Sequence, residues 1–160
     1  MTALSGIGYD SHRLVAGRKL ILGGVEIPGE VGLEGHSDAD VLTHAVIDAL
    51  LGAAGLGDVG EHFPDSDERY RDADSLELLA SVLPLVFAQG LELVNVDATV
   101  VMERPKLSPH REAIRESLAG ALGLAMQRVN VKASTGEGIG FVGRGEGVAA
   151  LVIASLRIAD

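Results

Sequence analysis

Residues 147–158 read GVAALVIASLRI, and this stretch is the strongest indication of the fold. Its apolar residues run almost without interruption, as in a strand that is buried on both faces of a sheet. Further strands are predicted at residues 3–9, 91–103 and 128–134. A shorter strand at 20–27 is interrupted by Gly23-Gly24 and stopped by Pro28.

Helices are predicted between these strands. They cover residues 38–54 (N-cap Ser37, capping-box partner Asp40), residues 74–89 (closed by Gly90, with a kink at Pro84) and a segment that Ser108-Pro109 opens and Gly123 closes. Residues 55–72 are rich in Gly, Pro and Asp. A stretch of this length without regular structure is more often a functional loop than a simple connection.

The order of elements predicts one domain over residues 1–160, of the α+β (mixed α/β) class. We expect a mixed sheet of four-stranded type with helices on one face. Few helices are left to cover the other face, so we expect copies of the chain to associate through it.

Composition excludes several classes of function. The chain has no cysteine, which rules out disulfides, Cys-ligated zinc and thiol nucleophiles. Its net charge of −10 argues against nucleic-acid binding, which needs a basic surface. We find no signal or transit pattern and no apolar run long enough for a membrane span. A cytoplasmic location, with no membrane partner, is the expectation.

A candidate metal site lies in Asp10-Ser11-His12. Residues two apart in an extended chain point to the same face, so Asp10 and His12 can reach one ion. His44 is a candidate third ligand, with Asp48 one turn further along as an acceptor that could orient its ring. By spacing alone, Asp-x-His also fits a surface turn and His44 a solvated helical histidine.

Two segments are suited to phosphate. His36-Ser37 precedes a predicted helix, whose N-terminus presents free N–H groups, although ordinary capping by Ser37 explains this pattern equally well. Lys132–Gly138 follows a strand and combines hydroxyls with glycines, and Glu137 could hold a Mg²⁺-like ion. Neither this segment nor Gly6-Ile7-Gly8 has the spacing of a nucleotide-binding fingerprint.

In order along the chain, these motifs resemble the cyclodiphosphate synthases of the non-mevalonate isoprenoid pathway. The resemblance runs from Gly6 to about Ile153. The matching stretches are Gly8–His12, His36–Asp38, His44–Gly52, Leu56–Gly60, Phe63–Asp67, Arg104–Leu107, Asn130–Thr135 with Glu137, and Gly140–Phe141 with Gly143–Gly147. Tyr9 and Gly136 depart from the residues common in the family, but no metal ligand is lost.

The resemblance implies roles for individual residues. A divalent metal, usually zinc, is held by Asp10, His12 and His44, and a second ion, Mg²⁺ or Mn²⁺, by Glu137. The methylerythritol phosphate end is bound by Asp58, Val59, Gly60, Phe63, Pro64, Asp65, Ser66 and Asp67. The cytidine end is bound by a neighbouring subunit's Met102, Glu103, Arg104, Pro105, Lys106, Leu107, Ser108, Ala133, Ser134 and Thr135. His36 and Thr135 are expected to stabilise charge on the attacked phosphate, and Ser37, Gly136 and Phe141 to contact substrate.

The resemblance also implies a homotrimer with active sites at its interfaces. Arg144 and Glu146 would lie near the trimer axis, where family members can hold an isoprenoid diphosphate. The implied reaction closes 4-diphosphocytidyl-2-C-methyl-D-erythritol 2-phosphate into 2-C-methyl-D-erythritol 2,4-cyclodiphosphate and releases CMP. Two alternatives remain at this point: a zinc phosphohydrolase that uses the same ligands, and a non-catalytic trimeric protein that binds isoprenoid phosphates or nucleotides.

Overall fold

The computed structural model describes residues 3–159. Its strands are β1 (Ala3–Ala16), β2 (Leu20–Leu22), β3 (Val25–Ile27), β4 (Val31–Leu33), β5 (Leu91–Val101), β6 (Val129–Ser134) and β7 (Gly147–Ile158). Its α-helices are α1 (Val41–Ala54), α2 (Val59–His62), α3 (Ser75–Phe87), α4 (Arg111–Leu122) and α5 (Gly140–Gly143). Single 3₁₀ turns cover Glu68–Tyr70, Ser108–His110 and Met126–Arg128.

The main sheet has the strand order β4-β1-β7-β5-β6. The apolar strand β7 is therefore central and pairs antiparallel with β1 and β5, while β5 and β6 are parallel. This confirms the predicted mixed α/β fold. The short strand β4, which the sequence did not predict, is added to the four long strands, and β2 and β3 form a separate hairpin around Gly23-Gly24.

Strand β1 is longer than predicted, because pairing with β7 continues well past residue 9. Asp10 lies opposite Ala150 and His12 opposite Val148. Both candidate ligands are therefore inside the strand rather than after it. The alternation of a strand then places them on the same face, as the sequence indicated.

Two glycines on that face of β1 allow helix α1 to approach the strand closely. A Cβ atom at Gly8 would lie 1.8 Å from the carbonyl oxygen of Ala45, and one at Gly6 would lie 2.0 Å from that of Ala49. No side chain fits at either position, because each would overlap backbone. Gly6-Ile7-Gly8 is thus a packing surface for α1, and the close contact brings His44 to the strand.

Helix α1 begins at Val41 rather than at residue 38, and its N-cap is Asp40 instead of Ser37. The Asp40 carboxylate is fully buried and accepts hydrogen bonds from the backbone N–H groups of Thr43, Gly23 and Gly24 at 2.7–2.9 Å. It caps the helix and holds the β2–β3 hairpin with the same two oxygens. The helix cannot start at residue 38 because Ala39 has a positive φ of 57°, outside the right-handed helical region.

The other helices also differ in detail from the prediction. Ser108-Pro109 opens a 3₁₀ turn, and α4 begins only at Arg111, but Gly123 ends it in the left-handed conformation as expected. Helix α3 runs through Pro84 to Phe87. The predicted loop at 55–72 contains α2 and a 3₁₀ turn, and the sequence likewise did not predict α5.

The two faces of the sheet differ in exposure. On the helix side, β7 buries Val148, Ala150, Val152, Ala154 and Leu156. On the opposite side, Leu151 and Ile153 are 40% and 48% exposed, and their partners Tyr9 and Ile7 on β1 are 52% and 68% exposed. The expectation that β7 is buried on both faces is therefore wrong for the single chain. No helix within residues 3–159 is long and apolar enough to cross a membrane.

Candidate metal centre and substrate pockets

Asp10, His12 and His44 converge at the point where α1 meets β1. One ligand atom from each lies within 4.8 Å of the others, and all three side chains are partly buried. The Asp10 Oδ2 atom is 2.9 Å from His12 Nε2 and 3.1 Å from His44 Nδ1. One carboxylate and two imidazoles are a donor set that suits a divalent ion such as zinc. The predicted ligands are thus brought together.

The ring of His12 is oriented by a backbone carbonyl. His12 Nδ1 lies 2.7 Å from the carbonyl oxygen of Glu34. A carbonyl can only accept, so Nδ1 carries the proton and, in the neutral ring, Nε2 has a free lone pair toward Asp10 and His44. Metal-binding histidines are commonly oriented in this way, so the geometry fits a bound ion.

The ring of His44 is oriented by hydroxyl groups rather than by Asp48. His44 Nε2 lies 2.8 Å from Ser75 Oγ and 3.1 Å from Ser37 Oγ. Asp48 instead accepts a hydrogen bond from the backbone N–H of Val59 at 2.9 Å. The expectation that Asp48 orients His44 is therefore wrong, because the ring turns toward the start of α3.

The electrostatics of the cluster favour a charged Asp10. Burial raises the pKa of Asp10, but hydrogen bonds from His12 and His44 outweigh burial and lower that pKa to about 2. Burial lowers the pKa of His12, but the hydrogen bond and negative charge of Asp10 outweigh burial and raise it above the ordinary value. The cluster therefore holds a carboxylate that attracts positive charge, either a proton or a cation.

The cluster opens into a cavity of about 330 Å³, here called the metal pocket. Its lining includes the predicted residues Asp10, His12, His36, Ser37, His44, Val59, Gly60, Phe63 and Asp65. It also includes Gly35, Tyr70 and Leu78, which the sequence analysis missed. Tyr70 packs edge-on against Phe63 with 5.2 Å between ring centroids. The sequence did not predict Tyr70 as a pocket residue, because two aromatic residues seven positions apart in a predicted loop do not indicate a contact.

Four predicted residues of the phosphate-binding loop do not line the metal pocket: Asp58, Pro64, Ser66 and Asp67. Asp58 caps α2 by accepting a hydrogen bond from the backbone N–H of Glu61. Asp67 pairs with Arg69 at 2.6 Å. Pro64 and Ser66 lie on the same loop but do not line the cavity.

His36 has one ring nitrogen already engaged. Its Nε2 donates to the carbonyl oxygen of Asp67 at 2.8 Å. A neutral His36 ring therefore has no second N–H group, and it can donate to a phosphate only when it is doubly protonated. The sequence suggested that His36 stabilises charge on the attacked phosphate. Because Nε2 is engaged, His36 could do so only through an N–H group at Nδ1.

A second cavity, here called the Lys106 pocket, has a volume of about 190 Å³. It is lined by Val100 and by the predicted residues Met102, Glu103, Lys106, Leu107, Ser108, Ala133, Ser134 and Thr135. None of the described residues lines both this pocket and the metal pocket. Arg104 and Pro105 line an adjoining cavity beside Pro28 and Val31.

The turn after β6 is held against the Lys106 pocket. The backbone N–H of Gly136 donates to Glu103 Oε1 at 2.5 Å, and the hydroxyl of Thr135 faces the Glu137 carboxylate at 3.5 Å. A Cβ atom at Gly136 would lie 2.6 Å from the backbone nitrogen of Gly143. Glycine therefore occupies position 136 because this turn leaves no room for a side chain.

Phe141 and Arg144 line neither pocket. Phe141 lines a further cavity of about 200 Å³ together with Ser11, Arg13 and Glu146, and His12 lines both this cavity and the metal pocket. Arg144 forms an ion pair with Glu146 at 2.7 Å.

The fold and the cluster define a class: a mixed α/β protein with a carboxylate-and-imidazole site for a divalent metal, beside a cavity suited to a polar substrate. The chain matches the YgbB family over residues 4–157 and belongs to that family. The 2-C-methyl-D-erythritol 2,4-cyclodiphosphate synthase of Gloeobacter violaceus is 63% identical over 152 residues, which are 95% of this chain and 93% of that protein.

Solved structures agree with this assignment. A 2C-methyl-D-erythritol-2,4-cyclodiphosphate synthase in its CDP-bound form is 41% identical, with a TM-score of 0.88 over 96% of this chain and 99% of that one. The bifunctional IspDF from Campylobacter jejuni is 44% identical, with a TM-score of 0.96. This chain is covered over 99% of its length but spans only 43% of that longer protein.

Proposed function

We propose that this chain converts 4-diphosphocytidyl-2-C-methyl-D-erythritol 2-phosphate into 2-C-methyl-D-erythritol 2,4-cyclodiphosphate and CMP, as a single domain over residues 1–160. The observation that carries the proposal is the convergence of Asp10, His12 and His44 within 4.8 Å, in a chain that belongs to this family. In the reaction, an oxygen of the 2-phosphate attacks the β-phosphorus, and the bond from that phosphorus to the CMP oxygen breaks.

The proposed resident metal is zinc, held by Asp10, His12 and His44. When bound, such an ion supplies Lewis-acid polarisation of a phosphoryl oxygen. The hydrogen bond from His12 to Glu34 supports this assignment, because it leaves the lone pair of Nε2 free in the neutral ring. A second ion, magnesium or manganese, is proposed at the exposed carboxylate of Glu137, which prefers such hard cations.

The protein's own part in the reaction is to fold and orient the substrate. Nucleophile and electrophile belong to one molecule, and correct alignment of such groups can lower a barrier by roughly 7–11 kcal/mol. We assign the methylerythritol phosphate end to the metal pocket, where Val59, Gly60 and Phe63 form one wall. Phe63 and Tyr70 would exclude water, which limits competing hydrolysis.

We assign the cytidine end to the Lys106 pocket. Lys106 supplies a local cation in a chain whose net charge is −10. His36 and Thr135 are the proposed groups that stabilise charge on the attacked phosphate. The Thr135 hydroxyl faces Glu137, so it would have to rotate away from that carboxylate to reach a phosphate.

A homotrimer is proposed because one chain leaves two features incomplete. The two pockets share no lining residue among those described, so a single substrate would use one pocket from each of two subunits. The exposed apolar face formed by Ile7, Tyr9, Leu151 and Ile153 also needs a cover. Three sheets packed around an axis would bury this face and place a composite site at each interface.

Two further assignments complete the proposal. An isoprenoid diphosphate could bind near the trimer axis beside Phe141, with Arg144 as a cation once its ion pair with Glu146 opens. The location proposed for the enzyme is the cytoplasm.

The reaction is tested with purified full-length protein, zinc, magnesium and the diphosphocytidyl substrate. We expect stoichiometric CMP and a phosphorus NMR spectrum of two coupled phosphates in one ring. An acyclic bisphosphate would support a zinc phosphohydrolase instead. Binding without any CMP would support a non-catalytic binding protein.

A further inference from the structure

A partly buried relay of polar groups lies behind His44, on the side away from Asp10. His44 Nε2 is 2.8 Å from Ser75 Oγ, and Ser75 is fully buried as the first residue of α3. The Ser75 hydroxyl in turn donates a hydrogen bond to the carboxylate of Asp38. The same carboxylate accepts from the backbone N–H of Ser75 at 3.0 Å and from that of Asp40 at 3.1 Å.

The direction of the protons along this relay is fixed by chemistry. A carboxylate only accepts, so the Ser75 hydroxyl must donate its one proton to Asp38. The Ser75 oxygen then has only lone pairs to offer His44, so Nε2 of His44 must carry the proton. Nδ1 of His44 faces Asp10 at 3.1 Å, a contact that needs a proton in the absence of a cation; a bound cation would take the place of that proton and use the Nδ1 lone pair.

We infer that Asp38 and Ser75 are positioning residues for the metal, acting through the imidazole of His44. This inference rests on the proposed function, since it assumes that the three ligands bind a cation. The Asp38 carboxylate polarises the Ser75 hydroxyl, and this makes the imidazole a stronger electron-pair donor to a metal ion. Carboxylate–histidine pairs at metal sites act in the same way. Ser37 Oγ, at 3.1 Å from the same nitrogen, is a secondary acceptor.

The hydrogen bonds of the relay also connect the helices that form the metal pocket. Asp38 precedes α1, His44 lies within α1, and Ser75 begins α3, so the hydrogen bonds connect two helices to one ligand. Leu78, one turn after Ser75, lines the metal pocket. The position of α3 and the orientation of His44 are therefore set together.

The test measures zinc affinity by competition with a chromophoric chelator, using the full-length protein at one fixed pH. We expect Ser75→Ala and Asp38→Asn each to weaken zinc binding by about 10–100-fold, the range found for such supporting partners. Ser81→Ala is the matched control, because Ser81 lies on the same helix and its hydroxyl donates only to the carbonyl of Leu78. Zinc affinity within about twofold of wild type is expected there.

A purely structural role predicts a different result. Ser75→Ala and Asp38→Asn would then lower the urea midpoint of the metal-free protein and leave the zinc affinity of the folded protein unchanged, which would overturn the inference. If Ser75→Ala does not fold, Asp38→Asn alone decides, since it keeps the size of the side chain. A wild-type protein that binds no zinc would overturn the metal site itself, and this is distinguishable from failure of the relay alone.

Discussion

The metal pocket and the Lys106 pocket differ in how much of their geometry one chain supplies. In the metal pocket, each histidine ligand is oriented by a partner at 2.7–2.8 Å, the Glu34 carbonyl or the Ser75 hydroxyl. In the Lys106 pocket, Lys106, Ser134 and Thr135 are exposed and lie at strand ends and turns. One chain therefore supplies a preformed site that could hold a divalent ion. Under the proposed assembly, binding of the cytidine end would depend on a second subunit.

The largest effect should come from removing a ligand of the preformed site. We expect His44→Ala to lower the rate of CMP release by roughly 1000-fold, because several kcal/mol of charge stabilisation by the ion are lost. Zinc content by atomic absorption should fall with the rate. His110→Ala is the control, since His110 lines neither pocket. Full zinc occupancy in His44→Ala would contradict the assignment.

A substitution in the Lys106 pocket should reduce activity less than His44→Ala does. A second subunit with an intact Lys106 pocket should restore part of that activity. We expect Lys106→Ala to raise KM by about 10–100-fold, the range for losing a hydrogen bond to a charged group. Co-refolding Lys106→Ala chains with His44→Ala chains should restore part of the activity, because some interfaces then join one intact metal pocket to one intact Lys106 pocket. No recovery in mixtures shown to be mixed trimers would rule out a shared site.

Zinc affinity should fall in acid as His12 takes up a proton. The pKa of His12 is raised, so zinc competes with a proton at Nε2 already above the ordinary histidine range. Below that raised pKa, we expect zinc affinity to fall by about tenfold per pH unit for this one proton.

The stability of the metal-free protein should depend on pH in the opposite direction. A group whose pKa is raised on folding stabilises the folded state below its unfolded pKa, and this stabilisation is lost as pH rises through the folded pKa. Chelated protein should therefore lose this stabilising contribution toward alkaline pH, whereas zinc-loaded protein gains affinity. Both trends can be followed by urea unfolding with and without zinc across pH 5 to about 9. Zinc affinity that is flat over this range would argue against His12 as a ligand.

The sequence was most informative where one local pattern determines the structure. The apolar run at 147–158 predicted the central strand, and the spacing of Asp10 and His12 predicted ligands on one face. It was least informative where a distant segment decides. Asp40 rather than Ser37 is the N-cap of α1, and its carboxylate also accepts from the N–H groups of Gly23 and Gly24 on another element.

The same reasoning explains the error at Asp48. A spacing of four residues in a helix makes Asp48 a neighbour of His44, and no local pattern indicated Ser75, which follows 31 positions later. The extension of β1 past Tyr9 also escaped prediction, because Asp10, Ser11 and His12 have no marked strand preference. Pairing with β7 imposes it.

The smallest expected effect distinguishes Asp48 from Ser75 directly. Asp48 accepts a hydrogen bond from Val59 at the start of α2, and α2 brings Val59 and Gly60 to the metal pocket. Asp48→Ala should loosen this wall and raise KM by about fivefold, equivalent to about 1 kcal/mol for one hydrogen bond. Zinc affinity should not change, because Asp48 makes no hydrogen bond to His44. Asp48→Asn keeps an oxygen acceptor for Val59 and should retain the wild-type KM. If Asp48→Ala instead weakened zinc binding as much as Ser75→Ala, the group that orients His44 would be Asp48, on the same helix as His44.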